Sequence, residues 1–255
     1  STGVPDAEDV SDLLDARVPR PAIGVPPGHS PASPATSSMV LGACVTAPAG
    51  DTETGAPAPG FCASTEEVAL VGEYMTNRPG IPLAIPSRNL EIPEAVVASA
   101  LSSEDAVGVM ATPEIASQVW DSIEAWGEYS KVGLIFSPSG QHAFALPSLV
   151  PVRVDPDEDG YLDVYADDGN GVHSHIQLKY VSAIYATDLS SESGDRTRGV
   201  TYFGPDGNAI IGVFASIKTD VYSEAAVTGF DDTPVATTIW PMLTTVHQPV
   251  SAMGR

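Results

Sequence analysis

Basic residues are scarce in this chain. Its 255 residues include 11 Lys+Arg against 33 Asp+Glu, a formal net charge of −22 at pH 7. A surface of that sign repels polyanions, which excludes nucleic acid and an anionic membrane face as partners. No apolar run approaches the roughly 18 residues of a membrane span, and the acidic N-terminal stretch lacks the basic and apolar regions of a secretory signal. Neither a membrane span nor a signal peptide is therefore predicted.

Cysteine is almost absent as well. Cys44 and Cys62 are the two cysteines of the chain, and both lie in a stretch rich in Pro, Ala and Gly. Two cysteines do not make a disulfide framework, and their spacing is not C-x-x-C. A bridge between them would close a loop of flexible sequence without stapling a core, and the sequence leaves open whether they pair.

Large apolar residues are few in the first quarter of the chain. Residues 1–63 bury too little to offset chain entropy, so we predict a leader that is disordered or docks on a partner. A short helix over Ala7–Ala16 would be either the docking peptide or part of a fraying tail. The predicted folded domain covers 64–220, and 221–255 is a C-terminal extension with a short helix in VYSEAAV.

Helix signals open the predicted domain. Ser64 and Glu67 have the spacing of a capping box, and apolar residues follow at helical intervals. A second short helix is predicted from Pro93, a residue favoured in the first turn. These two helices are too short to form a core alone and indicate a small helical N-terminal subdomain.

A third helix is predicted from Thr112-Pro113-Glu114, which combines an N-cap, a first-turn proline and an early carboxylate. Gly127 suits the position just past its end. Trp120 and Trp126 could stack on a ligand, but tryptophans at helical spacing are more often core, and we expect core here.

From Lys131 onward the apolar period changes to two. The short turns between the apolar segments require antiparallel pairing, because parallel strands need long crossovers. The predicted fold class is α+β: a small helical N-terminal subdomain followed by a large antiparallel β-sheet with flanking helices. The segments expected as strands are KVGLIF, QHAFAL, PVRVD, YLDVYA, VHSHIQL, YVSAIYA, GVTYFG and NAIIGVFASI.

Two histidines stand in one of these strands. Residues two apart share a face, so His173, His175 and Gln177 point one way and Ser174 and Ile176 the other. The imidazoles could ligate a metal or haem iron, or could be surface residues of a polar strand face. Zinc is not favoured, because it takes three or four ligands and no further His, Cys or Asp cluster accompanies this pair.

Other chemistries have little support. No G-x-S-x-G, G-x-G-x-x-G or G-x-x-x-x-G-K-[ST] motif occurs in the sequence. The acidic stretch DPDEDG meets part of a calcium-loop pattern but lacks the closing glutamate and the flanking helices, so we predict a hairpin turn there.

Several longer strings resemble the intracellular haem-utilisation family of the HutX/ChuX type, related to the two-repeat HemS/ChuS proteins. They are EYMTNRPGIPLAIPSRNLEIPEAVVASAL, VWDSIEAWGEYSKVGLIF, DGYLDVYADDGNGVHSHI, VSAIYATD and RTRGVTYFGPDGNAIIGVF. The resemblance covers about three fifths of the chain, between Thr65 and Asp220. It implies a HemS/ChuX-like fold, a cytoplasmic location and a possible homodimer.

The resemblance also implies site residues. The family histidine of the G-x-x-G-H-I string falls on His175, the candidate axial ligand, with His173 beside it. A second family histidine falls on Phe136, so that ligand is absent, and His142 is the nearest substitute. Gly212 stands where the family has a lysine, and Lys218 lies near the position of its arginine.

Haem carries two propionates, for which the candidate cations are Arg196, Arg198, Lys179 and Lys218. The resemblance implies a haem-binding carrier, and enzymatic haem breakdown is not expected. The alternative is a non-catalytic accessory subunit on the same fold, without haem, that docks on a larger assembly through residues 1–63.

Overall fold

A computed structural model describes residues 44, 61–154, 160–190, 194, 196–218 and 220–232. Its helices are α1 (Thr65–Asn77), α2 (Ala84–Leu90), α3 (Glu94–Ala100), α4 (Pro113–Glu124) and α5 (Glu224–Asp232). Within those described ranges, no helix is long and apolar enough to cross a membrane. The strands are β1 (Ala106–Met110), β2 (Lys131–Ser139), β3 (His142–Leu149), β4 (Val152–Arg153), β5 (Tyr161–Tyr165), β6 (His173–Gln177), β7 (Ala183–Ser190), β8 (Arg196–Phe203), β9 (Ala209–Ile217) and β10 (Asp220–Val221).

The strands form a large antiparallel sheet, as predicted, and a second, smaller antiparallel sheet. The larger has the order β1-β7-β8-β9-β2-β3, with β10 paired to β9, and the smaller has the order β4-β5-β6. The chain leaves the large sheet after β3 through Val150-Pro151, and proline has no N–H to continue a ladder. The α+β class and the large antiparallel sheet with flanking helices are confirmed, and the structure adds a second, three-stranded sheet.

Both faces of the large sheet are covered. On one face α4, α5 and the small sheet enclose a core that includes Trp120, Leu134 and Ile176. On the other face α1, α2 and α3 form the second core, which includes Val71 and Tyr185. The helical subdomain predicted from the sequence is therefore one layer of a three-layer arrangement.

Local sequence signals predicted the helix ends well. The Ser64 side chain accepts from the Glu67 backbone while the Glu67 carboxylate accepts from the Ser64 N–H, so the capping box is complete. Thr112 caps α4 by accepting from the N–H of Ile115. Trp120 and Trp126 are both buried, as expected for core residues. Gly127 has the positive φ of 97° that favours glycine past a helix end.

Two elements of the structure could not be predicted from the sequence. The helix α2 contains Pro86 and has no side-chain cap, and β1 is a five-residue strand, AVGVM, with a central glycine. Neither segment has the periodicity or the bounding residues on which a prediction depends.

Described residues before Ser64 also contact the core. Phe61 and Ala63 are buried in the second core, and the Ala63 N–H donates to Ser99 Oγ at 2.9 Å. Cys62 lies between them and is joined to Cys44 by a disulfide. Cys62 is itself exposed, although both of its sequence neighbours are buried. The predicted helix Ala7–Ala16 lies outside the described residues.

The predicted C-terminal extension also contributes to the core. The short helix expected near VYSEAAV is present as α5, and its Ala226 is fully buried beside Trp126. Phe230, on the same helix, meets the Trp126 ring edge-on with centroids 6.0 Å apart.

Candidate functional site

The candidate site is the outer face of the small sheet, which we define as Tyr161, Asp163, Tyr165, His173, His175 and Gln177. Inward residues of the same strands, Leu162, Val164 and Ile176, are buried in the core. The register pairs Tyr165 with His173, Asp163 with His175 and Tyr161 with Gln177. Directly opposed residues share a face, so the alternation predicted for the two histidines is what the structure has.

His175 is held by a carboxylate. Its Nδ1 lies in hydrogen-bond contact with Oδ1 of Asp163 on the neighbouring strand. The imidazole side chain is 53% exposed and the carboxylate side chain 35%. No described residue hydrogen-bonds to Nε2 of His175, so that nitrogen faces the surroundings as a possible metal ligand.

His173 is held by an aromatic ring. Its imidazole stacks on Tyr165 with centroids 3.7 Å apart and an interplanar angle of 25°. The two imidazoles lie side by side, with their centroids 4.3 Å apart. Within the described part of the chain, no group of three or more His, Cys, Asp or Glu side chains is placed to hold a metal ion. Each histidine of the pair could therefore bind a metal only as a single ligand, and the pair does not form a chelating cluster.

The other two candidate ligands, Phe136 and His142, lie on a different sheet. Phe136 of β2 stacks on Phe144 of β3 with centroids 5.2 Å apart, and the His142 ring is tilted against the same Phe144 at 5.7 Å. They form an aromatic cluster on the β2–β3 hairpin. None of the contacts described joins this cluster to His175.

The candidate arginines are already paired with carboxylates. Arg196 Nε and Nη2 donate to Asp188 at 2.7 and 2.5 Å. Arg198, whose side chain is 7% exposed, lies 3.5 Å from Asp188 and 3.3 Å from Asp231. Burial alone would raise the pKa of Asp188, but the hydrogen bonds and charges of both arginines hold it below its ordinary value.

Lys218 joins that region through its backbone. Its N–H donates to Thr197 Oγ1 at 3.0 Å and its carbonyl accepts from the N–H of Arg196. The three cations Arg196, Arg198 and Lys218 are thus brought together at one end of β8 and β9. Lys179 is elsewhere, in the turn directly after β6, with its Nζ 5.1 Å from the Tyr180 ring centroid.

Gly212, which replaces a lysine of the resembled family, has a packing role. A Cβ built there would lie 2.6 Å from Phe214 Cε2 and 3.1 Å from Thr201 Oγ1, and one at Gly199 would lie 2.4 Å from Phe214 Cδ1. The Phe214 ring therefore fills the space above both glycines. A lysine at position 212 could not enter without moving that ring.

Asp163 and Tyr165 were missed as site residues. Both stand in YLDVY at alternate positions, so they share a face with each other, and the hairpin register places them opposite the histidines. Counting outward from the turn that joins the two strands would have paired them.

Solved structures provide the comparison. A crystal structure of a protein from Erwinia carotovora is 22% identical, covers 66% of this chain and 98% of its own, and superposes with a TM-score of 0.51. The chain has the fold of this Erwinia protein. ChuX is 16% identical over 67% of this chain and 98% of its own with a TM-score of 0.49, and the Escherichia coli O157:H7 protein ChuS is 9% identical over 65% and 47% with a TM-score of 0.47.

At 22% identity the match to the Erwinia protein shows the fold of this chain and leaves its ligand to the chemistry of its own residues. No protein-family model matches the chain, and no curated protein is similar to it in sequence.

Proposed function

We propose that this chain binds haem on the outer face, with Nε2 of His175 as the iron ligand. The contact between His175 Nδ1 and Asp163 carries the proposal. A carboxylate that accepts from one ring nitrogen fixes the tautomer, orients the ring and makes the other nitrogen a better metal ligand. The sequence resemblance supplies the identity of the ligand, and one of the similar structures is described as the heme-binding protein ChuX.

The residues around His175 suit the iron and the macrocycle. Tyr161 and Tyr165 flank Asp163 on the same face, and Tyr161 and Val154 are among the exposed large apolar side chains. Aromatic and aliphatic surface next to an exposed imidazole is what a flat apolar ring requires.

The propionates do not fit the arginines named from the sequence. Arg196 and Arg198 are neutralised by Asp188 and Asp231, so displacing these partners would cost more than it gained. Lys179 is the better candidate, because it follows β6 directly and forms no ion pair with any residue that the structure describes.

The exposure of His175 favours a carrier. Haem would supply an iron centre that can exchange its axial ligand. An imidazole that is half-exposed can release such a ligand to another protein without unfolding of the site. We therefore propose reversible haem binding and no reaction upon it. A homodimer, which the resemblance implies, remains part of the proposal.

The test is a haem titration followed by the Soret band. The wild type should give a shifted, saturable band, and His175→Ala should lose it. His142→Ala removes an exposed histidine from the other sheet and should leave the spectrum unchanged. Asp163→Asn should weaken binding by roughly 10- to 100-fold, the usual effect of removing the carboxylate that hydrogen-bonds to a metal-ligating histidine. Identical spectra for the wild type and His175→Ala would remove the ligand assignment.

A second candidate is an accessory protein of the same fold that binds no haem. The pairing of Arg196 and Arg198 with carboxylates, together with Phe214 above Gly212, favours it. In that case residues 1–63 would dock on a larger assembly, as the sequence predicted. Co-purification of a partner that is lost on deleting residues 1–60, from protein that gives no Soret band with haem, would support this candidate over the first.

A further inference from the structure

A groove of about 530 Å³ lies beside the outer face. The loop after α4 contributes Glu128 and Tyr129, β4 and the residue after it contribute Val152 and Val154, and the turn between β5 and β6 contributes Asp167 and Asp168. We call it the acidic groove. Its size is that of a site for a small organic molecule.

The charges in the acidic groove are nearly all negative. The one cation among its lining residues is Arg153, whose N–H and Nε donate to Glu124 and whose Nη1 donates to Ser117 Oγ at 2.9 Å. Asp121 contacts the same guanidinium. Arg153 is therefore neutralised by α4 and does not offset the groove carboxylates.

The carboxylates of the acidic groove shift the pKa of Tyr129, one of its lining residues. The charges of Asp168 and then Glu128 raise the pKa of Tyr129 above its ordinary value, since both oppose the phenolate. An anion is thus disfavoured here, and a cation is favoured.

The groove also has an apolar and aromatic part. Val152 and Val154 line it between the acidic elements, and Tyr129 and Tyr165 add two rings to the lining. Tyr129 is 68% exposed, so its ring is accessible to a ligand. Tyrosine faces attract organic cations, and valines accommodate an alkyl chain.

We infer that the acidic groove binds an organic cation, namely an alkyl chain carrying an ammonium group such as a linear diamine or a lysine side chain. An inorganic ion is disfavoured, because the described carboxylates do not converge on one point as metal ligands must. The groove shares Tyr165 with the outer face, but the inference does not rest on haem binding, because the carboxylates that carry it lie outside that face.

The test is calorimetric titration with 1,5-diaminopentane at low salt. Saturable binding is expected in the wild type. Asp168→Asn and Glu128→Gln should each weaken it by roughly two- to fivefold, the size of one ion pair at a protein surface, and the double variant by about tenfold. Asp168 has a φ of 51°, a conformation that asparagine also tolerates, so this variant should fold normally. Tyr129→Leu should weaken binding without changing the charge.

Glu104→Gln is the matched control, because it removes one exposed carboxylate from the turn before β1. It should leave diamine binding unchanged. Equal weakening of diamine binding in Glu104→Gln and Asp168→Asn would mean that the diamine responds only to the net charge of the protein, and it would overturn the inference. So would the absence of saturable heat, equal binding of neutral 1-pentanol, or displacement of the diamine by millimolar Ca²⁺.

Discussion

The carboxylate of Glu94 in α3 accepts a hydrogen bond from the hydroxyl of Ser137 in β2, 43 positions away in the sequence. The Arg88 guanidinium of α2 pairs with the same carboxylate and donates to the carbonyls of Ser139 and His142 at 3.1 and 2.9 Å. Glu94 is 2% exposed. This group of side chains joins the helical layer to the β2–β3 hairpin.

Glu94→Ala should therefore destabilise the fold strongly. The substitution leaves Arg88 without its carboxylate and removes the acceptor of Ser137, which should cost about 3 kcal/mol in the free energy of unfolding. Urea denaturation followed by circular dichroism measures it. Glu73→Ala makes the same chemical change on the exposed side of α1 and should stay within roughly 0.5 kcal/mol of the wild type. Similar midpoints for the two variants would mean that the buried pair contributes nothing.

Two glycines in helices should respond to alanine with opposite signs. At Gly229 of α5 a Cβ would lie 2.6 Å from Trp126 Cδ1, whereas at Gly72 of α1 nothing lies within 4 Å. Alanine has the higher helix propensity by about 1 kcal/mol, so Gly72→Ala should raise the melting temperature. Gly229→Ala gains the same propensity but loses about 1–3 kcal/mol to overpacking, so it should lower the melting temperature. An increase in both variants would contradict the close packing of α5 on Trp126.

The sequence predicted those features whose signal is local. The capping box at Ser64, the N-cap at Thr112 and the alternation that turns His173 and His175 away from Ile176 each depend on residues a few positions apart. These features are set by backbone geometry before any tertiary contact forms.

Features set by pairing between distant segments could not be predicted in this way. Asp188 precedes Arg196 by eight positions, yet they meet because β7 and β8 pair in one register. The division into two sheets depends on where the chain leaves β3, and the role of Gly212 depends on the direction of the Phe214 ring. Neither leaves a periodic signal in the sequence.

The disulfide between Cys44 and Cys62 should stabilise the domain. It closes a loop with a sequence separation of 18, and chain-entropy arguments give about 3 kcal/mol for a loop of that order. Dithiothreitol should lower the wild-type melting temperature, and Cys44→Ser should lower it equally and then be insensitive to the reductant. A wild type that melts at one temperature with and without reductant would contradict this.

The disulfide between Cys44 and Cys62 also has a consequence for the cellular compartment in which the protein is expected. Disulfides persist in oxidising compartments and are rare in the cytosol, so the bridge argues against the cytoplasmic location implied by the resemblance. Alkylation of free thiols in freshly lysed cells should find both cysteines protected. Full labelling of both in the cell extract would favour a reducing compartment.

Two buried tyrosines should make the fold sensitive to alkali. Burial raises the pKa of Tyr202 and of Tyr185 well above the ordinary value, and the Tyr202 hydroxyl donates to the carbonyl of Ala116 at 2.8 Å. In the unfolded chain these phenols ionise near pH 10, whereas in the fold they stay protonated.

The contribution of these two phenols to stability is therefore complete below about pH 10 and is lost above it, at about 1.4 kcal/mol per pH unit for each phenol. Tyr202→Phe should reduce that slope by about half, although it costs about 1 kcal/mol at neutral pH by removing the hydrogen bond to the Ala116 carbonyl. Ultraviolet titration should show at least two of the eight tyrosines ionising only as the protein unfolds. Ionisation of all eight in the native protein would mean that these rings are not buried as described.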